Sequence, residues 1–498
     1  MADKTSHEQY SRTAELMAIQ RGLQRPACAA PGLIAVSPGP PSRASGAGSS
    51  SRGAPVRLAG GTVISNMLVC VRIEMPSAGA ALGLAQAGLS LNGALAARIT
   101  GPIEEDRLRD ALAGLAERHP LAATRVAVGE NDRPCFTTEG VGPISLQVIG
   151  RTSDEQCLSE LRREILNPAD YLAGPLLRCL WLRSSDASDL ILIGEHLTAD
   201  GRSLVNALRD LLTLLADPSI TLPPVMPRRL ADLVPADVIE RLRQTAAGRS
   251  AEEPSRVDFP VDSPPNGGRG TEDGHPAEHS THPGATARPP LDISVHQLSC
   301  EQTTALADRC RQEGVTVQAA LCSAFLVPFA EQNPDTPVRR AEVPVDLRPY
   351  LSAGVDVYGN LISLALVDVD CSPGRGLWEL ARDAATALAA ATREDRLFAS
   401  PFIALQLFEQ PRNPRPRPWR TEYDVSISNL GRIGIPARYG SFTIESISPP
   451  IFPANGPNHR IVGVSTFAGQ MRYSFSCRNT QARALFERGR ELLLEMVG

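Results

Sequence analysis

Apolar and polar positions alternate along the chain in a way that predicts strands and helices following one another. LILI (190–193) predicts a short buried strand, and the apolar residues of 204–215 recur at helical spacing. Upstream, residues 95–126 predict a strand, a turn and a helix that Pro120 ends. A second helix is predicted over 155–166. This stretch therefore mixes both kinds of element.

The second half of the chain repeats the mixture. TVQAALCSAFLVPFA (316–330) is apolar nearly all round, which predicts a buried helix. VPVDLRP, NLISLALVDVD and YDVSISNLG predict strands, and a helix over Thr480–Met496 closes the chain. The simplest fold class is α/β, with two domains joined by a loose connection.

Composition places the boundaries between these parts. The first residues are rich in Ala, Gly, Ser, Pro and Arg, and a second such tract lies near the middle. The predicted regions are a disordered extension at 1–58, an N-terminal domain at 59–221, a proline-rich and partly disordered linker at 222–290, and a C-terminal domain at 291–498.

Charge and hydropathy exclude several kinds of partner. The net charge is −5 and the pI is near 6.0, which gives no reason to expect nucleic acid or an anionic membrane surface. No apolar run reaches the ~18 residues of a membrane span, and the N-terminus shows no secretory signal. A cytoplasmic enzyme is expected.

Residue usage excludes several reaction classes. Lys4 is the only lysine, so neither a phosphate-binding P-loop nor a Schiff-base enzyme is expected. There is no G-x-S-x-G, the motif of nucleophile-elbow hydrolases. The ten cysteines form no C-x-x-C pair, which predicts reduced, mostly buried thiols. No metal site is expected, because His275, His279 and His282 lie in the predicted linker.

The chemistry-bearing residues with the clearest placement lie in LILIGEHLTADG (190–201). Glu195, His196 and Asp200 stand between the predicted strand and the predicted helix, where a rigid scaffold holds side chains still. An ordinary turn with a solvated histidine explains the segment equally well. The local pattern alone leaves both interpretations open.

Six segments in a fixed order carry a resemblance to a known family: RHP (118–120), GPLLR (174–178), EHLTADG (195–201), GVTVQAAL (314–321), VDLRP (345–349) and SNLG (428–431). With these, the chain resembles the acyltransferases built like chloramphenicol acetyltransferase and the condensation domains of peptide synthetases. VDLR and SNLG are most similar to the polyketide-associated branch typified by phthiocerol/phthiodiolone dimycocerosyl transferase. The likeness covers roughly residues 60–498.

The resemblance implies a pseudo-dimer of two related domains with a tunnel between them and His196 midway along it. His196 would then be the general base that takes the proton of an attacking hydroxyl. The donor would be an acyl-CoA or an acyl-phosphopantetheine on an acyl carrier protein or polyketide synthase, and the acceptor a lipid or polyketide alcohol. No permanently bound cofactor is implied.

Asp200 and Arg348 match a pair that supports the site in this family. The resemblance implies that the aspartate turns away from the histidine and pairs with the arginine, whereas a triad would have Asp200 orient His196. We expect the supporting role. Gly201 is expected to allow a tight turn where a Cβ would clash.

Roles at or near the site were also considered for Ser428, Asn429 and two further histidines. Ser428 and Asn429 would line the tunnel and donate to an oxyanion, or they form a plain strand-end turn. His119 is expected to end a helix, and no role is predicted for His459.

Glu195 departs from the family pattern, because condensation domains usually carry histidine at this position. The base is retained, but a carboxylate beside His196 is expected to raise the imidazole pKa or reshape the pocket. Two other functions compete with ester formation: a stand-alone amide-forming condensation enzyme, and a non-catalytic module that docks a carrier protein.

Overall fold

The computed structural model describes residues 71–74, 78, 91–129, 133–248, 290–351, 356–398, 423–453 and 459–498. The predicted extension (1–58) and residues 249–289 of the predicted linker, which contain its three histidines, lie outside these ranges.

The described residues of the N-terminal half form seven strands and three longer helices. Its elements are β1 (Arg72–Glu74), β2 (Asn92–Thr100), α1 (Glu105–Arg118), β3 (Arg125–Val128), β4 (Pro134–Thr137), β5 (Ser145–Gly150), α2 (Gln156–Leu166), β6 (Leu177–Arg183), β7 (Ala187–Glu195) and α3 (Gly201–Ala216). Two helices follow it, α4 (Leu230–Leu233) and α5 (Ala236–Gly248).

The C-terminal half alternates in the same way. Its elements are β8 (Asp292–Gln297), α6 (Cys300–Gln312), α7 (Val317–Gln332), β9 (Val338–Asp346), β10 (Ile362–Asp370), α8 (Leu377–Ala391), α9 (Glu394–Phe398), β11 (Val425–Arg432), β12 (Arg438–Tyr439), β13 (Phe442–Ile447), β14 (Arg460–Phe467), β15 (Gln470–Cys477) and α10 (Thr480–Val497).

Two six-stranded mixed sheets organise these elements. The first has the order β12-β13-β2-β7-β6-β5, and the second β10-β9-β11-β14-β15-β8. A small third sheet, β1-β4-β3, accompanies the first. The prediction of two α/β halves is therefore confirmed.

The predicted domain boundary at 291–498 needs one correction. β13 pairs antiparallel with β2, so that Thr443 lies opposite Thr100 and Ile447 opposite Ala97. Residues of the C-terminal half thus complete the sheet of the N-terminal half. The cause is the apolar face of β13: Phe442, Ile444 and Ile447 are buried in the N-terminal core.

The continuous apolar run of β7 follows from burial on both faces. Leu190 and Leu192 belong to the core under α1 and α3, while Ile191 and Ile193 belong to a second cluster on the other face. That second cluster also contains Ile293 of β8, so it joins the two halves. A strand buried on both sides needs no polar alternation.

The first part of the predicted linker, residues 222–248, is ordered and carries the two helices α4 and α5. α5 spans thirteen residues, and Leu230, Leu233 and Val238 are buried in one cluster with Leu347 and Phe398. These apolar side chains dock residues 230–242 on the C-terminal half, because burying them removes apolar surface from water.

The described ranges also bear on two sequence predictions, the reduced, mostly buried thiols and the lack of a membrane-spanning segment. The eight cysteines described there are free, and six of them are buried. No single described helix is long and apolar enough to cross a bilayer; α6 and α7 pass such a test only together, with a bend of 99° between them.

Candidate active site

His196 lies directly after β7, in the short connection to α3. Its backbone N–H donates to the Leu91 carbonyl at 3.0 Å, and its own carbonyl accepts from Asn360 Nδ2 at 2.8 Å. Leu91 precedes β2, whereas Asn360 belongs to the C-terminal half. Both halves therefore fix the backbone of this residue.

The hydrogen bonds of the His196 ring determine its tautomer. Nδ1 lies 2.8 Å from the carbonyl oxygen of Ala199, and a carbonyl only accepts, so Nδ1 carries the proton. Nε2 then holds a lone pair. The ring stacks on Phe452, with centroids 4.3 Å apart and planes tilted by 24°, and the residue is partly buried. The arrangement presents an oriented, neutral base.

The surroundings of His196 lower its pKa. Burial is the main cause, because it disfavours the charged imidazolium; the hydrogen bond to Ala199 and the charge of Asp200 act in the opposite direction but are smaller. Glu195 was expected to raise this pKa or to reshape the pocket; the net shift is downward, and the effect of Glu195 itself stays a prediction. The buried Glu195 carboxylate accepts from the Leu91 N–H at 3.2 Å, and its charge acts on Arg178.

This lowered pKa gives a pH prediction. The neutral form of His196 should persist below the ordinary value of 6.5, so kcat/KM of a reaction that uses this ring as its base should stay level at pH 7 and fall only as the pH drops through that lower pKa. A pH–rate profile of kcat/KM measures the midpoint. A midpoint at or above 6.5 would contradict the assignment.

Asp200 begins α3 and is 1% exposed. One carboxylate oxygen accepts from the Ser203 N–H at 2.8 Å, and the other from the Leu361 N–H at 2.9 Å. Arg348 donates to both oxygens, at 2.9 and 3.2 Å. The His196 ring nitrogen bonds Ala199 instead, so these contacts favour the supporting role over a triad.

Arg348 is a junction between the two halves. It lies in a 3₁₀ turn just beyond β9, so the strand predicted through VDLRP ends at Asp346. Besides Asp200, its guanidinium reaches Asp346 at 2.9 Å and the Ser203 hydroxyl at 3.0 Å. Burial would raise the pKa of Asp200, but the charge and hydrogen bonds of Arg348 outweigh it, so the pKa is lowered and the carboxylate stays ionised.

Gly201 has a packing role that differs from the predicted one. It is the first residue of α3, and its φ lies outside the left-handed region. A Cβ there would lie 3.1 Å from Leu430 Cδ2 and 3.3 Å from Pro450 Cβ. Glycine lets the helix start approach two segments of the C-terminal half.

Ser428 and Asn429 lie on β11, both partly buried. The side-chain oxygen of Asn429 accepts from the Gly431 N–H at 2.8 Å, which is the local bond of a strand-end turn. Ser428 pairs with Gly463 of β14. Their predicted role as oxyanion donors stays a prediction.

Two other histidines considered in the sequence analysis, His119 and His459, lie apart from these contacts. His119 is the C-cap of α1, is 1% exposed and has Nε2 2.8 Å from Asp210. That carboxylate also pairs with Arg118, so the group is structural. His459 is buried beside Tyr423, with ring centroids 6.5 Å apart.

Sequence reasoning missed two neighbours of the histidine, Phe452 and Asn360. Phe452 lies in the connection from β13 to β14, where Ile451 bridges to Ala94 of β2. The sequence gives no motif there; its only signal is a lone aromatic between Ile451 and Pro453.

Comparison with known proteins places these features in context. Residues 289–472 match the family model described as "Phthiocerol/phthiodiolone dimycocerosyl transferase C-terminus". Phosphinothricin tripeptide synthetase PhsC of Streptomyces viridochromogenes is 27% identical over 331 residues, which are 60% of this chain. The chain spans only 27% of the length of that relative.

Solved structures share the fold at low identity. Polyketide synthase associated protein 5 from Mycobacterium tuberculosis has a TM-score of 0.57 at 18% identity, over 82% of this chain and 94% of that one. The TRI3 trichothecene 15-O-acetyltransferase from Fusarium sporotrichioides has a TM-score of 0.61 at 14% identity, over 86% and 96%. The first condensation domain of the CDA synthetase has 0.58 at 16%, over 86% and 96%. These comparisons confirm the predicted fold class.

Proposed function

We propose that this chain is a member of the superfamily of condensation domains and chloramphenicol-acetyltransferase-like acyltransferases, and that it moves an acyl group from a thioester to a hydroxyl. The observation that carries the proposal is the state of His196. Its Nδ1–H is committed to the Ala199 carbonyl at 2.8 Å, so Nε2 is the atom that accepts a proton.

The reaction needs only one base. Nε2 takes the proton as the alcohol oxygen attacks the thioester carbonyl, and a C–O bond forms to give a tetrahedral oxyanion. Collapse of this intermediate breaks the C–S bond, and the departing thiolate takes the proton back from Nε2. General base catalysis of this kind supplies about 10²–10⁴-fold; positioning and oxyanion stabilisation supply the rest.

The neighbours of His196 fit these steps. Phe452 stacks on the ring and Asn360 holds its backbone, so the base keeps one orientation through two proton transfers. Ser428 Oγ and Asn429 Nδ2 are the candidate donors to the oxyanion. Asp200 and Arg348 hold the connection that carries the histidine.

We propose that the acyl donor is acyl-CoA or an acyl-phosphopantetheine. It would reach His196 through a passage between the two halves, and the acceptor would enter from the other side. A carrier protein or polyketide synthase would present the second kind of donor. The relatives that are polyketide synthase associated or part of a peptide synthetase support this choice. The acceptor is a lipid or polyketide alcohol, and no resident cofactor takes part.

Amide formation is the second candidate, because the peptide synthetase relative covers 60% of this chain. The same base would then take a proton from an ammonium or amine. The two functions differ in the acceptor, which is an alcohol for ester formation and an amine for amide formation.

The test incubates purified protein with acyl-CoA or acylated carrier protein and a panel of long-chain alcohols and matched amines. We expect free thiol and ester in equal amounts, with alcohols preferred over amines. Free thiol is followed with a thiol reagent and product by mass spectrometry. Amide as the main product would favour the second candidate, and binding of the carrier without transfer would favour a docking module.

A further inference from the structure

Most buried carboxylates in the described part of the chain have a positive partner. Six acidic residues are buried there: Glu164, Asp189, Glu195, Asp200, Asp210 and Glu342. Four of them pair with arginine within 4.0 Å, and Glu195 acts on the charge of Arg178. Pairing is the usual condition for burying a charge.

Glu342 of β9 differs from the other five. It is 8% exposed, and its side-chain hydrogen bonds are made with the neutral hydroxyls of Ser426 and Tyr423. Arg340, two residues earlier on β9, is engaged with Asp368 at 2.6 and 2.8 Å. No basic side chain of the described ranges forms an ion pair with Glu342.

The strand register shows which way Glu342 faces. Ala341 and Val343 belong to the core of the C-terminal half, so Glu342 points to the opposite face of the sheet, since side chains alternate along a strand. Ser426 lies beside Glu342 on β11, and its neighbours Val425 and Ile427 are also in that core.

On this opposite face, a row of paired residues and one further contact connect Glu342 to His196. One row of paired residues crosses four strands: Glu342, Ser426, Ile461 and Ser476. Ser476 Oγ donates to the Phe452 carbonyl at 2.9 Å, and the Phe452 ring stacks on His196. Three strand spacings separate the ends of the row, about 14 Å.

A neighbouring residue pair on the same face of the sheet, Ser428 with Gly463, gives the direction of that face. Ser428 is on the same face as Ser426 and pairs with Gly463. A Cβ on Gly463 would lie 2.5 Å from the Pro450 carbonyl oxygen. Pro450 is two residues from Phe452, so this face of the sheet is the one that looks toward the histidine.

From this geometry we infer that Glu342 binds a positively charged group of the substrate, an organic ammonium, while the hydroxyl of the same molecule reaches His196. The inference rests on the proposed acyl transfer and adds to it the class of acceptor, an amphiphilic alcohol that carries a basic group at a distance from its hydroxyl. The ammonium would give Glu342 the positive partner that arginines within the described ranges give to the other five carboxylates.

The electrostatics of Glu342 agree with this role. Burial raises its pKa to about 7, although the hydrogen bonds of Ser426 and Tyr423 act in the opposite direction. A cation at hydrogen-bond distance favours the ionised form. A cationic ligand would therefore stabilise the ionised Glu342 carboxylate, whereas a neutral ligand would not.

The test compares ω-hydroxyalkyl-trimethylammonium acceptors, which cannot be acylated on nitrogen, with neutral alcohols that end in an isosteric tert-butyl group. Chains of increasing length locate the spacing. We expect the cationic acceptor of best length to have a kcat/KM at least about tenfold higher than its neutral isostere. In Glu342→Gln the ratio should fall to near one, whereas Glu445→Gln, on the exposed side of β13, should keep it.

Two results would overturn the inference: a wild-type ratio of one or less, or a full preference retained in Glu342→Gln. If Glu342→Gln folds poorly, inhibition of the wild-type protein by alkyltrimethylammonium ions tests the inference instead. These ions should inhibit acyl transfer more strongly than neutral alkanes of equal size. If wild-type protein acylates neither alcohol, the proposed function fails; calorimetric binding of the cationic and neutral alcohols then tests Glu342 separately.

Discussion

Replacing His196 with alanine is expected to lower kcat/KM for acyl transfer by about 10²–10⁴-fold. The reason is that Nε2 is the one proton acceptor assigned to the reaction, while the fold around it is held by backbone bonds to Leu91 and Asn360 that the substitution leaves in place. Thiol release and ester formation measure the loss, and thermal unfolding shows that the variant is folded.

His296→Ala is the matched control. His296 on β8 is also partly buried, and its pKa is lowered mainly by burial, but its Nε2 contacts Ser294 at 3.1 Å. This variant should keep wild-type turnover. Added imidazole should restore part of the activity of His196→Ala. Equal slow thiol release by wild-type protein and His196→Ala would remove the base from the mechanism and leave a docking module.

Breaking the Asp200–Arg348 pair is expected to have the largest effect on stability. In Arg348→Met, the Asp200 carboxylate loses a partner that donates to both of its oxygens. The Asp200 side chain is 2% exposed and the Arg348 side chain is 10% exposed. Leaving one member of such a pair unmatched lowers the free energy of unfolding by about 3–5 kcal/mol. Urea denaturation measures it.

The double variant Asp200→Asn with Arg348→Met should lose less than the sum of the two single variants, because no unmatched charge remains. Arg393→Met removes an exposed ion pair with Asp395 and should change stability little. A folded Asp200→Asn protein with wild-type stability and the turnover of His196→Ala would instead establish a triad.

Local pattern sufficed for the elements that carry the histidine. The run 190–193 is apolar because β7 is buried on both faces, and the Asp200 carboxylate that starts α3 is a usual N-cap. The pairing of Asp200 with Arg348 came from the resemblance, since nothing local relates residues 148 positions apart.

Long-range placement explains what the sequence did not predict. Phe452 reaches His196 through a bridge between Ile451 and Ala94, and no periodicity encodes such a contact. Glu342 looks like an ordinary polar position of an alternating strand. That none of the arginines in the described ranges pairs with it emerges only from the packing of β9 and β11. The net direction of the shift in the His196 pKa could not be derived from the sequence, because it depends on how deeply the ring is buried.

The placement of β13 has a consequence for synthesis. Its partner strand β2 leaves the ribosome early, but the Thr100 hydroxyl finds the Thr443 carbonyl 343 residues later. At ribosomal speeds of 5–20 residues per second, that interval lasts about 17–70 s. For that time the nascent N-terminal sheet carries an unfilled edge, which makes β2 a natural client for ribosome-associated chaperones until β13 emerges.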